Sequence, residues 1–181
     1  MALPQTVVLG GGGFVGRHIV ARLVAAGHRV IVPTRRREDA KHLIMLPTVD
    51  VLEADIHDPR ALGTLFAGAT AVINLVGILN EEGASTFERA HVELPRKVVA
   101  ACHTAGVARL LHMSALGADP AGPSRYLKTK AAAEAIVAAS GLRWTIFRPS
   151  VIFGVEAGCC ARHARDSGRS HDFRAGPGGR E

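Results

Sequence analysis

Four glycines in a row, Gly10–Gly13, followed by Phe14, Val15 and Gly16, separate a short apolar stretch from an amphipathic one. Glycine loses more conformational freedom on folding than any other residue, so such a run needs a structural reason. Gly10, Gly13 and Gly16 have the spacing GxxGxxG; Gly11, Gly13 and Gly16 also satisfy GxGxxG. At the junction of a strand and a helix, that spacing suits a pyrophosphate. The turn is tight, the backbone can approach closely, and the helix start offers unpaired N–H groups. Gly16 lets the helix pack on the strand. The turn's candidate cofactor contacts are Gly10, Gly12, Gly13, Phe14, Val15 and Gly16; the competing reading is a flexible turn without a ligand.

A second chemical signal lies at Pro33-Thr34-Arg35-Arg36-Arg37. If the preceding RVIVP is the second strand, an acidic residue at its end would bind the adenosine ribose hydroxyls. Here arginines stand instead, and a guanidinium suits a 2′-phosphate. Arg35 and Arg36 therefore favour NADP(H) over NAD(H), although at most one or two of these arginines could reach a phosphate. The competing reading is a solvated helix entry.

These residues need a frame to hold them, and the hydrophobic pattern supplies one. Strands are predicted over Thr6–Leu9, Arg29–Pro33, Val49–Ala54, Ala71–Val76, Arg109–Met113 and Arg143–Phe147. Helices are predicted over Phe14–Ala26, Asp39–Leu46, a segment opened by Asp58 and Pro59 through Phe66, Thr86–Ala105 and Arg125–Ser140. In the long fourth helix Phe87, His91, Leu94, Val98 and Ala101 share a face, and Pro95 must kink it or mark a second start. Strict alternation of apolar strands with helices predicts an α/β fold: a doubly wound, Rossmann-type parallel sheet of six strands in the order 3-2-1-4-5-6.

The chain's 181 residues fit one domain, with 48% apolar and 21% charged residues. The net charge of +6 is not gathered into one stripe, which argues against a nucleic-acid partner. No stretch approaches a membrane span, and no signal-peptide pattern opens the chain. Three cysteines, with Cys159 and Cys160 adjacent, make neither a disulfide framework nor a metal site; a reducing, cytoplasmic setting fits them. His57 has no second ligand at metal spacing. Residues 155–181 are rich in Gly, Arg and Ser and hold two large apolar residues, Val155 and Phe173, so they are predicted to be a disordered tail.

With these residues placed, the chain resembles the extended or atypical short-chain dehydrogenases/reductases, in particular the NAD(P)-binding subunit family of respiratory complex I and its bacterial relatives. The pieces that carry the resemblance include VLGGGGFVGRHIV, EADIHD, VINLVGIL, FERAHVELPRKVVAACHTAGVARLLHMSALGAD and SRYLKTKAAAEAIVAASGLRWTIFRPSVIFG. The resemblance implies that Asp55 and Ile56 line the adenine. It implies that Leu75, Val76 and Gly77 pass under the adenosine ribose and diphosphate, and that Pro149, Ser150 and Val151 lie near the nicotinamide. The superfamily's Tyr-x-x-x-Lys pattern falls on Tyr126 and Lys130, whose i, i+4 spacing puts them on one helical face. Lys130 would hold the nicotinamide ribose and lower the phenol pKa; Tyr126 would exchange a proton with a substrate oxygen, to which Ser114 would hydrogen-bond. His91 falls where many extended members carry a structural asparagine, and a core role is expected for it.

The resemblance covers residues 5–154 and stops near Gly154, where the family continues into a substrate-binding region. Residues 1–154 are thus expected to form the dinucleotide-binding domain of a truncated chain with little turnover. Three functions stay open: a dinucleotide-binding protein of the complex I subunit type, peripheral to the inner membrane beside respiratory subunits; an NADP-dependent reductase or sugar-nucleotide epimerase/dehydratase; and a redox-sensing interaction protein without catalysis.

Overall fold

The strands Gln5–Leu9 (β1), Arg29–Thr34 (β2), Val49–Glu53 (β3), Ala71–Asn74 (β4), Arg109–Met113 (β5) and Arg143–Phe147 (β6) form one sheet. Its order is β3-β2-β1-β4-β5-β6, as expected, and every neighbouring pair is parallel. The computed structural model describes residues 3–154. The expected tail over 155–181 lies outside the described residues.

Each strand returns to the sheet through a helical connection: Phe14–Ala25 (α1), a 3₁₀ segment over Arg37–Leu43, Pro59–Phe66 (α2), Leu94–Ala105 (α3) and Arg125–Ala138 (α4). The period of two along β1 divides the core into two layers. Val7 and Leu9 pack with Leu62 and Phe66 of α2 and with Leu94 and Val98 of α3. Val8 packs on the other face with Val20 of α1 and with Ala40 and Leu43 of the 3₁₀ segment. The central strands are buried on both faces, which is why they read as unbroken apolar runs. Among the described residues, no helix is long and apolar enough to cross a membrane.

The helix starts follow from local chemistry. Asp58 caps α2 by accepting a hydrogen bond from the Arg60 N–H at 3.0 Å, and Pro59 takes the first helical position. Ser124 caps α4 through Leu127 N–H at 3.2 Å. Asp58→Ala should cost about 1 kcal/mol, read as a melting temperature roughly 2–4 °C lower in a chain of this size. An unchanged melting curve would show that the cap adds nothing.

Three elements differ from the sequence expectation. Asp39–Leu46 is not an α-helix: a 3₁₀ segment spans Arg37–Leu43 and breaks at Ala40 (φ −120°, ψ 19°), whose side chain is fully buried beside Gly12. The expected strand Ala71–Val76 ends at Asn74, because the Asn74 Oδ1 accepts the Val76 N–H at 3.1 Å and turns the chain out of the sheet. The long helix before Ala105 holds a π turn over Arg89–Glu93, with the Leu94 N–H bonded to the Arg89 carbonyl five residues back. Pro95 explains it. A proline ring presses on the carbonyl four residues earlier, and a widened turn relieves the clash.

Candidate functional site

The sheet reverses its direction of winding between β1 and β4, and a groove of about 700 Å³ opens at the carboxyl ends of these strands. One wall is the glycine turn, where Gly10, Gly12 and Gly13 line the groove. Gly10 has φ +79°, the left-handed region that favours glycine. Gly16 meets a different demand: a Cβ there would lie 2.3 Å from the Gly10 carbonyl oxygen and 2.6 Å from the Gly11 Cα. The helix therefore packs directly on the turn. Gly13 caps α1 without a side-chain hydrogen bond, and no acidic residue occupies the first helical turn. The opening N–H groups of a helix have no partner within it, so this end suits an anion.

The Phe14 ring does not line the groove. It lies edge-on to His18, with ring centroids 5.8 Å apart, and the Gly154 backbone rests against it. Val15 and Gly16 are likewise not among the residues that line it.

The adenosine end is built from β2 and β3. Thr34 and Arg35 line the groove, as do Asp55, Ile56 and His57. Arg36 is not among the lining residues: its guanidinium grips Asp39 at 3.2 and 3.3 Å. The Asp55 carboxylate accepts the His57 N–H at 2.8 Å, shaping the turn after β3. Burial, then the charges of Arg89 and Lys97, hold the His57 ring below its ordinary pKa.

Leu75, Val76 and Gly77 form the floor. Behind them, Asn74 Nδ2 donates to His112 Nδ1 at 3.3 Å. Burial pushes His112 down to about 4, so this support is uncharged at neutral pH. The far wall is a stretch that sequence reasoning missed: Ala84, Ser85, Thr86 and Arg89, from the loop and helix start after β4. One signal was available. A helix that follows a strand begins at the strand's carboxyl end, so its first turn must rim the groove.

Tyr126 and Lys130 do share a face of α4, and Lys130 meets the floor from its side. A Cβ added to Gly77 would lie 3.1 Å from Lys130 Nζ. Lys130 is 4% exposed, and its Nζ donates to the Met113 carbonyl at 3.1 Å. Tyr126 closes an aromatic cluster with Phe87 and His91, at centroid distances of 5.9 and 5.4 Å. Ser114, at the end of β5, is 3% exposed, and its N–H donates to the Phe147 carbonyl at 2.8 Å. Pro149, Ser150 and Val151 follow β6, with the Pro149 carbonyl accepting the Leu116 N–H at 2.8 Å. None of these six lines the groove between β1 and β4.

One electrostatic expectation needs correction. Lys130 does not depress the phenol pKa here. Burial raises Tyr126 above 10, while burial brings Lys130 itself down to about 8. The ammonium is turned to Met113 and sits 5.9 Å from the phenol ring centroid. The chain has a single tyrosine, so phenolate absorbance reads Tyr126 alone. Its midpoint should lie above 10 in the folded protein. The unfolded chain then releases this proton first, and stability falls as pH rises past 10. A midpoint below 10 would mean that the lysine charge outweighs burial.

The other buried reactive group is inert: burial pushes the Cys102 thiol up to about 12. Among the described residues, no cluster of three or more His, Cys, Asp or Glu could hold a metal ion.

Comparison with known proteins agrees with a dinucleotide groove. Over 154 residues the chain is 36% identical to NADH dehydrogenase [ubiquinone] 1 alpha subcomplex subunit 9, mitochondrial, of Arabidopsis thaliana, matching 82% of this chain and 38% of that protein. It is 34% identical over 148 residues to ceramide reductase of Caulobacter vibrioides, matching 81% of this chain and 46% of that protein. The chain thus spans less than half the length of these curated relatives. In structure it is similar to a putative NAD-dependent epimerase/dehydratase from Bacillus halodurans, with a TM-score of 0.74 at 24% identity over 84% of this chain and 73% of that one. The family model described as NAD(P)H-binding matches residues 10–167, most of the sequence, and the chain belongs to that family.

Proposed function

We propose that this chain binds NADP(H) in preference to NAD(H), with residues 1–154 as the dinucleotide-binding domain. One observation carries the preference. At the end of β2, where an acidic side chain would serve the ribose hydroxyls, Arg35 lines the groove, and Asp39, which also lines it, is held by Arg36. In this reading the glycine turn and the opening of α1 take the pyrophosphate. Asp55 and Ile56 flank the adenine, and Leu75–Gly77 run under the adenosine ribose and diphosphate. Pro149, Ser150 and Val151 lie toward the nicotinamide.

The likeness to the mitochondrial subunit supports a dinucleotide-binding role beside respiratory subunits; in this reading the chain is cytoplasmic and peripheral to the inner membrane. A second reading, an NADP-dependent reductase or a sugar-nucleotide epimerase/dehydratase, is favoured by the place of Lys130 against Gly77, with Tyr126 beside it, and by the likeness to a bacterial reductase. The dinucleotide, when bound, would supply or accept a hydride. Tyr126, protonated well above neutral pH, would donate its proton to a substrate oxygen, and Ser114 would hydrogen-bond that oxygen. Lys130 would turn from Met113 to the nicotinamide ribose.

Calorimetry with NADPH and NADH side by side tests the binding reading. NADPH should bind at least about tenfold more tightly, the value of one charge-assisted contact. Equal affinities overturn the preference, and no binding of either overturns the reading. Turnover of carbonyl compounds with NADPH that disappears in Tyr126→Phe would establish the reductase. Co-purification with membrane respiratory subunits, without turnover, would establish the first reading.

A further inference from the structure

His91 is 1% exposed, yet both of its ring nitrogens are engaged. The Ile78 N–H donates to Nε2 at 3.1 Å. Nε2 is therefore the bare acceptor, and the ring proton is on Nδ1. Nδ1 lies 3.1 Å from the Thr129 Oγ1 and donates to it; that hydroxyl in turn donates to the Tyr126 carbonyl at 3.0 Å. The directions agree at each link, so the chain from Ile78 through His91 and Thr129 to Tyr126 has one consistent arrangement of protons.

The ring is also wedged sterically. Phe87 stacks on it at 5.5 Å and Tyr126 meets it edge-on. A Cβ on Gly77 would lie 3.7 Å from its Nε2. Burial pushes His91 down to about 3, so the ring keeps this single-proton form across the neutral range.

We propose that His91 and Thr129 form a brace that fixes the groove floor at Gly77–Ile78 to the helix carrying Tyr126 and Lys130. Both are positioning residues; neither lines the groove. Ile78 and Gly77 do line it, and Lys130 lies against Gly77, so the brace sets the distance between the floor and the basic side chain beneath it. Without the Thr129 hydroxyl, the Nδ1–H is a buried donor lacking a partner. The ring then has reason to move its proton or tilt, and either change releases the Ile78 N–H. The binding consequence rests on the dinucleotide reading above; the proton arrangement does not.

Two measurements on the full chain decide it. Nitrogen-15 NMR of histidine-labelled protein should find His91 protonated on Nδ1 and bare on Nε2. A ring protonated on Nε2 overturns the brace. Calorimetry should find NADPH bound roughly five- to tenfold more weakly by Thr129→Val, an isosteric change at a half-buried position, and restored to within about twofold by Thr129→Ser. Thr104→Val, which removes a hydroxyl bonded only within α3, should leave the affinity unchanged. Wild-type affinity in Thr129→Val, or failure of serine to restore it, overturns the proposal. If the wild-type chain binds neither dinucleotide, the functional reading falls instead, and the NMR result still judges the brace.

Discussion

Gly16→Ala should abolish dinucleotide binding and lower the melting temperature, although it adds one methyl group to a helix. That methyl has nowhere to go: its carbon would lie 2.3 Å from the Gly10 carbonyl oxygen and 2.6 Å from the Gly11 Cα and carbonyl oxygen. These are backbone atoms, so no side chain can swing aside. Either α1 lifts off β1 or the turn deforms. Overpacking of this kind costs about 1–3 kcal/mol, or roughly 2–12 °C in melting temperature at this chain length. The effect on the ligand is larger. The turn must present several N–H groups to one pyrophosphate, and charge-assisted hydrogen bonds are worth about 1.5–3 kcal/mol each. Losing two is at least about 3 kcal/mol, more than roughly 100-fold in Kd. Calorimetry with NADPH and a melting curve read the two effects. A variant that binds and melts like wild type would show that the turn relaxes freely and is not a fitted cradle.

The same glycine explains why so much of the fold was legible in the sequence. A run that is costly unless it meets a phosphate or a close helix crossing fixes where β1 ends and α1 begins. From there, apolar runs such as Arg29–Thr34 and Arg109–Met113 can only be buried strands, and the helical stretches between them force parallel pairing and right-handed crossovers. What pattern could not supply was local geometry set by single atoms. The Asn74 amide ends β4 two residues early. Pro95 is visible as a breaker, but not that its relief takes the form of a π turn over Arg89–Glu93 with His91 buried in it. The 3₁₀ break at Ala40 sits against Gly12, a long-range neighbour that local pattern does not reveal.

The site divides in the same way. Gly10, Gly12, Gly13 and Arg35 could be placed from residue type and position alone, and they line the groove. The wall made by Ala84–Thr86 and Arg89 has no periodicity to betray it. Nor can spacing give a proton's location. The i, i+4 interval puts Tyr126 and Lys130 on one face, yet burial decides that the phenol holds its proton more tightly than in water and, against the charge of Glu134, the ammonium less tightly.

Arg35→Ala should weaken NADPH binding by roughly 10- to 150-fold, the range of a charge-assisted contact of about 1.5–3 kcal/mol. NADH, which has no 2′-phosphate, should lose less than about twofold. Arg35 is exposed, so its contact with the phosphate is open to counterions, and the loss should shrink as salt is raised. Arg36 offers the discriminating control. Its guanidinium neutralises Asp39, a residue that lines the same groove. Arg36→Ala therefore leaves a carboxylate unpaired beside the incoming phosphate and should weaken NADPH by repulsion, not by loss of a contact. Removing the carboxylate as well, in Arg36→Ala/Asp39→Ala, should return NADPH affinity to near the wild-type value, whereas Arg35→Ala/Asp39→Ala should stay weak. Equal losses for NADPH and NADH in Arg35→Ala would mean that the guanidinium is only part of a solvated surface. Failure of the Arg36/Asp39 double variant to recover would mean that Arg36 touches the phosphate itself.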